Sequence, residues 1–370
     1  HDRSKWRLSA TFVIAECPLS AMDSRSTTPL LCFLLAYLFA FVIRIQCTLQ
    51  PNDGLIFEQF NEYVIRYNKA YMRNSSEFLN RFQIFKDNIE RSKYMNKAYN
   101  NSHQAVYGIN KFADLTQEEF KAQYLTGLKR NGCMRKQHFA SAVTPKDLKS
   151  LGIPQKFDWR EKGVLTGIRN QESCGACWSF SVVETMESMY AITYKSNFST
   201  PELSVQQLID CDYDNSGCKG GDICKAAVWA HLNGVVNESL YPLTDQSDNC
   251  KTPPVSVPRI YVADYACDSF QGQEIEMLKL LAQHGPIAVA VDATTWHNYI
   301  GGIIQFHCSS NINHAVQIVG YDLTGDVPYY IIRNSWGADF GDHGFIYIKY
   351  GENLCGLTVE VSHLNVTDYQ

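Results

Sequence analysis

The chain has 370 residues, 45% of them apolar and 19% charged, with a formal net charge of −5. That is enough apolar material for two or three units with buried cores. The mild acidity, with no polybasic run, leaves nucleic acid without an electrostatic footprint, and thirteen cysteines point to an oxidising compartment.

Residues 1–21 contain no methionine, the first being Met22, and show no periodicity; they read as non-native upstream translation. From Met22 the texture changes. Arg25 gives a positive flank to PLLCFLLAYLFAFVI, Pro29 to Ile43, an apolar run of signal-peptide length and short of the ~20 residues that span a bilayer. Residues 22–47 are therefore expected to be a signal peptide cleaved near Ile45 to Thr48. A retained anchor is the alternative, because Ile45 extends the run past Arg44. Five Asn-x-Ser/Thr sequons, at Asn74, Asn100, Asn197, Asn237 and Asn365, agree with a secreted, glycosylated surface.

Next in the chain, Phe57, Phe60, Tyr63, Val64 and Tyr67 recur at helical spacing, and EFLNRFQIFKDNIERSKYMN follows as a second helix. Its Glu77, Arg81, Phe85 and Asn88 fall on one stripe of a 3.6-residue period, with Glu77 and Arg81 in the favourable i to i+4 order. A plain amphipathic helix would show the same periodicity. Residues 129–156, punctuated by Pro145 and Pro154, read as an exposed linker open to cleavage. Phe180, Val183, Met186 and Tyr190 predict a helix after Cys177. From Pro286 onward come the β-rich runs PIAVAVD, AVQIVGY, PYYIIRN and GFIYIKY. Helices first and strands later predict an α+β layout with two subdomains.

Residues 171–181 read QESCGACWSFS. As a zinc site, Cys174 and Cys177 would need two more convergent ligands, and there is no second Cys-x-x-Cys. As a redox pair they would want a βαβ context, which is absent. The pair followed by Trp178 instead fits C-G-[SA]-C-[WY], the signature of papain and the cathepsins. DWR at Asp158, CKGG at Cys218, NHAV at Asn313 and NSWG at Asn334 follow in order. On these motifs the chain from about Phe57 to His363 resembles the papain family of cysteine peptidases.

The resemblance implies a two-subdomain fold, a helical half facing a β-barrel-like half, behind an N-terminal helical inhibitory prodomain. It implies Cys177 as nucleophile, the thiolate being the reactive form of cysteine, at a helix start where the macrodipole favours negative charge. His314 would pair with the thiolate and protonate the leaving amine, Asn334 would orient the imidazole, and Trp336 would shield that hydrogen bond. Gln171 and the Cys177 backbone N–H would hold the oxyanion. The implied disulfides are Cys174–Cys218, Cys211–Cys250 and Cys308–Cys355. Cys224 and Cys267 are left over; a bridge between them is expected, with two buried thiols as the alternative.

Upstream, Glu77, Arg81, Phe85, Asn88 and Asn96 fit the long-helix motif of papain-type propeptides, with Ser92 in an isoleucine slot. Gly108, Asn110, Phe112 and Asp114 fit the G-x-N-x-F-x-D motif. Such a prodomain would run backwards through the cleft and be released by acid, with Asp114 and Glu77 as pH-sensitive members. Gly220 and Gly221 would pair with extended substrate. Ile223, Ala290, Ala315 and Glu360 would surround the substrate side chain two before the scissile bond, where a carboxylate could bind arginine, and Asn313 would also bind substrate. Phe340, in place of a second tryptophan after NSWG, leaves an aromatic wall on the leaving-group side without an indole donor. The long insertion that cathepsin B carries at this point does not follow Gly221, and there is no clear mini-chain, so an open cleft is expected.

The expectation is a cysteine endopeptidase zymogen with a thioacyl-enzyme intermediate, made of a propeptide over 48–152 and a peptidase domain over 153–370. Protein and peptide substrates and its own propeptide are its partners. No cofactor, metal or nucleic acid is expected, nor a membrane for the mature form. A monomer in the lysosome, the endosome or outside the cell completes the reading. The rivals are a dead papain-like peptide-binding or inhibitory protein, a prodomain acting alone as inhibitor, and Cys-His-Asp acyl transfer.

Overall fold

The computed structural model describes residues 53–99, 106–125, 136–137, 148, 151–195 and 200–369. The upstream segment, the expected signal peptide, the sequons Asn100 and Asn197 and most of the expected linker lie outside these residues. By compactness the chain divides into residues 1–63 and 64–370. The described part of the first unit belongs to helix α1, Asp53–Arg66, where the Phe60 and Tyr63 rings stack with centroids 6.2 Å apart.

In the second unit, α2 spans Ser75–Asn96. Asn74 caps it by accepting from the backbone N–H groups of Ser76 and Glu77, which supplies partners that the first turn of a helix lacks. The helix then uses its polar stripe to hold the chain that follows. Asn88 donates to the carbonyls of Ala113 and Leu115, and Arg81 to that of Asp114. Asn96 accepts from the N–H groups of Val106 and Tyr107 and donates to the Tyr107 carbonyl. Buried Ser92 donates to the Asn88 carbonyl at 2.8 Å, so its hydroxyl is satisfied within its own helix. The returning chain enters α3, Gln117–Tyr124, through a reciprocal capping box of Thr116 and Glu119.

Helix α4, Cys177–Tyr194, is buried nearly all round. The expected apolar stripe is present, but Glu184, Thr185, Glu187 and Ser188 are buried too. The reason is its place: α4 packs on α5, Val205–Cys211, and α6, Ile223–Asn233, and also on three strands of the sheet.

Those strands belong to one sheet, nine-stranded among the described residues. They are β1 (Lys136–Gln137), β2 (Lys156–Asp158), β3 (Arg259–Ser269), β4 (Ile287–Val291), β5 (Ile303–Ile304), β6 (His314–Asp322), β7 (Tyr329–Arg333), β8 (Phe345–Lys349) and β9 (Val361–Tyr369). The order is β1-β3-β9-β4-β6-β7-β8-β5, with β2 pairing β6. Runs read as strands become β4, β6, β7 and β8. The longest pair, β3 with β9, was not among them, although Ile260 and Val262 alternate inward. The α+β fold class stands as expected, and among the described residues its sheet is not a closed barrel, with end strands β1 and β5 of two residues each.

Two large apolar cores, with a smaller cluster of Cys211, Val236 and Tyr241, lie among the described residues of this unit. One gathers Trp178, Phe180, Met186, Leu208 and Ile223 around α4. The other lies on the sheet under α7, Glu274–Gln283, with Leu278, Val289, Ile318 and Ile332, and takes in Phe112 and Phe120. Disulfides join Cys174 to Cys218, Cys211 to Cys250, Cys308 to Cys355 and the left-over Cys224 to Cys267. Among the described residues no helix is long and apolar enough to cross a membrane.

Candidate active site

Cys177 is the first residue of α4 and, among the described residues, the one cysteine outside a disulfide. Cys174 is tied to Cys218, and Gly175 N–H donates to the Cys218 carbonyl, so the loop before the helix is pinned on one side. Trp178 pins the other. Its indole donates to the Gly217 carbonyl, and its ring lies so near Gly221 that an added Cβ there would sit 2.5 Å from it. Glycine at 221 is thus demanded by the tryptophan beside the thiol, a reason different from the approach of substrate. Gly220 adopts φ 107°, a conformation that also favours glycine.

His314 opens β6. Its Nε2 lies 2.8 Å from Asn334 Oδ1, an acceptor, so Nε2 carries the hydrogen. Nδ1 is buried with no hydrogen-bond partner. The next residue along the strand, Ala315, turns its backbone N–H toward the Cys177 sulfur, as do Trp178 and Cys177 itself. Strand β6 therefore brings the imidazole beside the head of α4. Trp336 lies over the ring at 4.7 Å between centroids, and Trp296 meets it edge-on at 5.9 Å. The cysteine and histidine are fully buried. Burial pushes the Cys177 thiol up to about 12 and the His314 imidazole down to about 4, so in this closed form both are neutral.

Gln171 is anchored at both ends of its amide. Nε2 donates to the Cys174 carbonyl at 3.0 Å, and Oε1 accepts from the Ser335 hydroxyl at 2.7 Å. Among the described residues Nε2 makes no second hydrogen bond. Ser335 was missed in the sequence, since a serine between Asn334 and Trp336 carries no signal of its own.

The expected specificity residues also gather. Ala290 and Ala315 face each other across β4 and β6, and Ala290 N–H donates to the Glu360 carbonyl. Asn313 is stitched to the turn after β4 through Asp292, Ala293 and Thr294. Ligand-type atoms of Asp222, Cys224 and Glu360 lie within 4.8 Å of one another, next to Ile223. The Cys224 sulfur is spent in its disulfide. Two carboxylates remain, fewer than a tetrahedral zinc site needs. Phe340 is buried edge-on against Trp336 at 4.9 Å and lies 5.6 Å from Phe112.

The propeptide-motif residues converge on the same region. Asn110 donates to the carbonyls of His297 and Tyr299, and Gly108 N–H to that of Asn298. An added Cβ at Gly108 would meet Ile300 at 2.8 Å. Phe112 and Phe120 present their edges to Trp336. Asp114 is held by Lys69 and Tyr71, Arg81 by Glu77 and Glu119, and Phe85 is buried.

Comparison with known proteins gives the geometry a family. Residues 153–364 match the papain family cysteine protease, and residues 60–120 the cathepsin propeptide inhibitor domain. Cathepsin O of Homo sapiens is 43% identical over 286 residues, 76% of this chain and 87% of its own. The viral cathepsin of Choristoneura fumiferana nuclear polyhedrosis virus is 38% identical over 305 residues, 82% of this chain and 90% of its own. The digestive procathepsin L2 proteinase of Tenebrio molitor larval midgut superposes with a TM-score of 0.73 at 30% identity, covering 84% of this chain and 99% of that one. With its open sheet, buried α4 and docked propeptide helices, this chain belongs to the papain family of cysteine proteases and carries a cathepsin-type inhibitory propeptide.

Proposed function

We propose that residues 153–370 are a cysteine endopeptidase, held inactive by residues 48–152, that cleaves peptide bonds through Cys177, His314 and Asn334. The supporting observation is the ring of His314: one nitrogen is fixed by Asn334, and the other is left bare, on the strand whose next residue turns its backbone N–H toward the thiol. Once the cleft opens to water, the burial that keeps both groups neutral is relieved. The thiol proton then passes to Nδ1, and the helix start and the facing N–H groups favour the thiolate. The sulfur attacks the carbonyl carbon, and the C=O electron pair moves onto oxygen, held by Gln171 Nε2 and the Cys177 N–H. Collapse breaks the C–N bond as Nδ1 returns its proton to the amine. A water, deprotonated at Nδ1, then splits the thioester and frees the thiol.

The wider reading follows from the same zymogen logic. Four disulfides fit a secretory route to the lysosome, the endosome or the exterior, and Asn74 and Asn365 are exposed sequons able to carry glycan. Asn237 is half-buried and its Oδ1 is used to cap the turn at 238–240. The mature enzyme is taken as a monomer acting on proteins and peptides. Acidifying the purified proform, labelling it with a thiol-directed peptide inhibitor and mapping the adduct tests the site. Label is expected on Cys177, and Cys177→Ala should lower hydrolysis by at least about 10³-fold. Undiminished hydrolysis in that variant would refute the mechanism, and tight peptide binding without turnover in the wild type would favour the dead-enzyme rival.

A further inference from the structure

His297 lies in the short turn Trp296–Asn298 of the peptidase half and is fully buried. The groups its ring meets come from the propeptide. Its Nε2 is 2.9 Å from the Phe112 carbonyl oxygen, its Nδ1 is 3.4 Å from Arg91 Nη1, and Phe120 stacks on it at 4.7 Å with planes 18° apart. These partners fix the proton. A carbonyl oxygen only accepts, so Nε2 must carry the hydrogen. A guanidinium only donates, so Nδ1 must offer a lone pair. Docked His297 is therefore the neutral Nε2–H tautomer. Half-buried Arg91 on α2 makes no other hydrogen bond or ion pair among the described residues.

We propose that His297 is an acid sensor of the zymogen: a second proton, taken at Nδ1, turns its contact with Arg91 from a hydrogen bond into a clash of cations and loosens the propeptide. The charged groups that face the ring are Arg91 from α2, Asp114 from the turn before α3 and Glu118 on α3. Asp114 is engaged with Lys69 and Tyr71, and Glu118 is exposed, so neither carboxylate bonds the ring. Burial is the largest influence and Arg91 adds to it, holding the imidazole down to about 4 against an ordinary 6.5. A group whose docked value lies below its released value favours docking fully above 6.5. That contribution is lost as pH falls toward 4. The window is the one in which an acid compartment would open the zymogen.

The proposal rests on the zymogen reading, and its test is kept apart from catalysis. In full-chain Cys177→Ala proform, which cannot cut itself, hydrogen exchange of residues 75–124 is followed from pH 7.5 to 4. His297→Gln can still donate to Phe112 and accept from Arg91 but cannot titrate. Its loss of protection should move down by about one pH unit, while mature enzyme bearing the change keeps its peptide hydrolysis. Loss of protection at the same pH in both proforms overturns the proposal. Should the glutamine fail to dock at neutral pH, ring titration by NMR decides. A docked His297 titrating below about pH 5 supports the sensor, and one titrating near 6.5 ends it.

Discussion

Glu360 stands at the end of the loop that follows the Cys308–Cys355 bridge, buried, with its carbonyl bound by Ala290 N–H and its carboxylate near that of Asp222. In its proposed place at the floor of the pocket two before the cut, its carboxylate would attract a substrate arginine and give leucine no such gain. Glu360→Ala is therefore expected to lower kcat/KM for substrates with arginine two before the cut by about tenfold or more relative to leucine. Matched peptide pairs measure it, and equal losses for both would remove the selective role. At this scale the sequence is legible where chemistry dictates a residue type. The proposed nucleophile, base, orienting amide and oxyanion donor are scarce kinds in a set order, so Cys177, His314, Asn334 and Gln171 stand out. Ser335 and His297 do not, because a hydroxyl that orients a neighbour and a lone histidine in a turn acquire meaning only from the groups folded against them.

Among the elements, the propeptide helix α2 was readable because nearly every motif position makes a specific bond: Asn88 and Asn96 to backbone, Arg81 to Glu77 and to Glu119 on α3, a helix the sequence reading did not single out. The strands β3 and β9 escaped because Asp264 in one and the polar pair Ser362 and His363 in the other break their apolar alternation, and partners so far apart in the chain leave no local trace. The α2–α3 link also has its own response to acid. Arg81 holds the Glu119 carboxyl below its usual value. A lowered carboxylate stabilises the docked pair fully above about pH 4.5, and that stability fades as pH drops below it. This window lies lower than that of His297. Because Glu119 is one-third exposed, solvent screening keeps the effect to about threefold in docking equilibrium. Glu119→Gln in the Cys177→Ala proform should raise protease sensitivity of residues 75–124 about threefold at pH 6 and flatten its further rise below 4.5. Superimposable digestion curves would contradict this.

At the scale of the 64–370 unit, the helix bearing Cys177, the strand bearing His314 and the strand that ends just before Asn334 meet through buried charge. Arg333, fully buried just before Asn334, lies 3.4 Å from Glu184 on α4 and donates to Thr166 and the Gly167 carbonyl. On β6, Gln317 donates to Ser188 of α4. Glu187 pairs with Arg169 and also accepts from Leu203 N–H. Read as a lone helix, Glu184 would pass for a solvated charge; the sheet on one side and helices on the other put it inside. Desolvation raises its carboxyl to about 7, ahead of the opposing pull of Arg333 and Arg169. A raised acid stabilises the fold fully below about 4.5, and this contribution disappears as pH climbs to 7. Thr166, Gly167 and Gln317 still serve Arg333 when Glu184 is neutral. Acid thus has opposite effects on the two halves: it weakens the docking of the propeptide through His297 and Glu119, and it strengthens the peptidase through Glu184. Mature enzyme is expected to melt higher at pH 5 than at pH 7.5, and Glu184→Gln, uncharged at every pH, should remove most of that rise by gaining about 5 °C at pH 7.5. Differential scanning calorimetry of both forms across this range measures it, and parallel Tm-against-pH lines would show that Glu184 is not the group responsible.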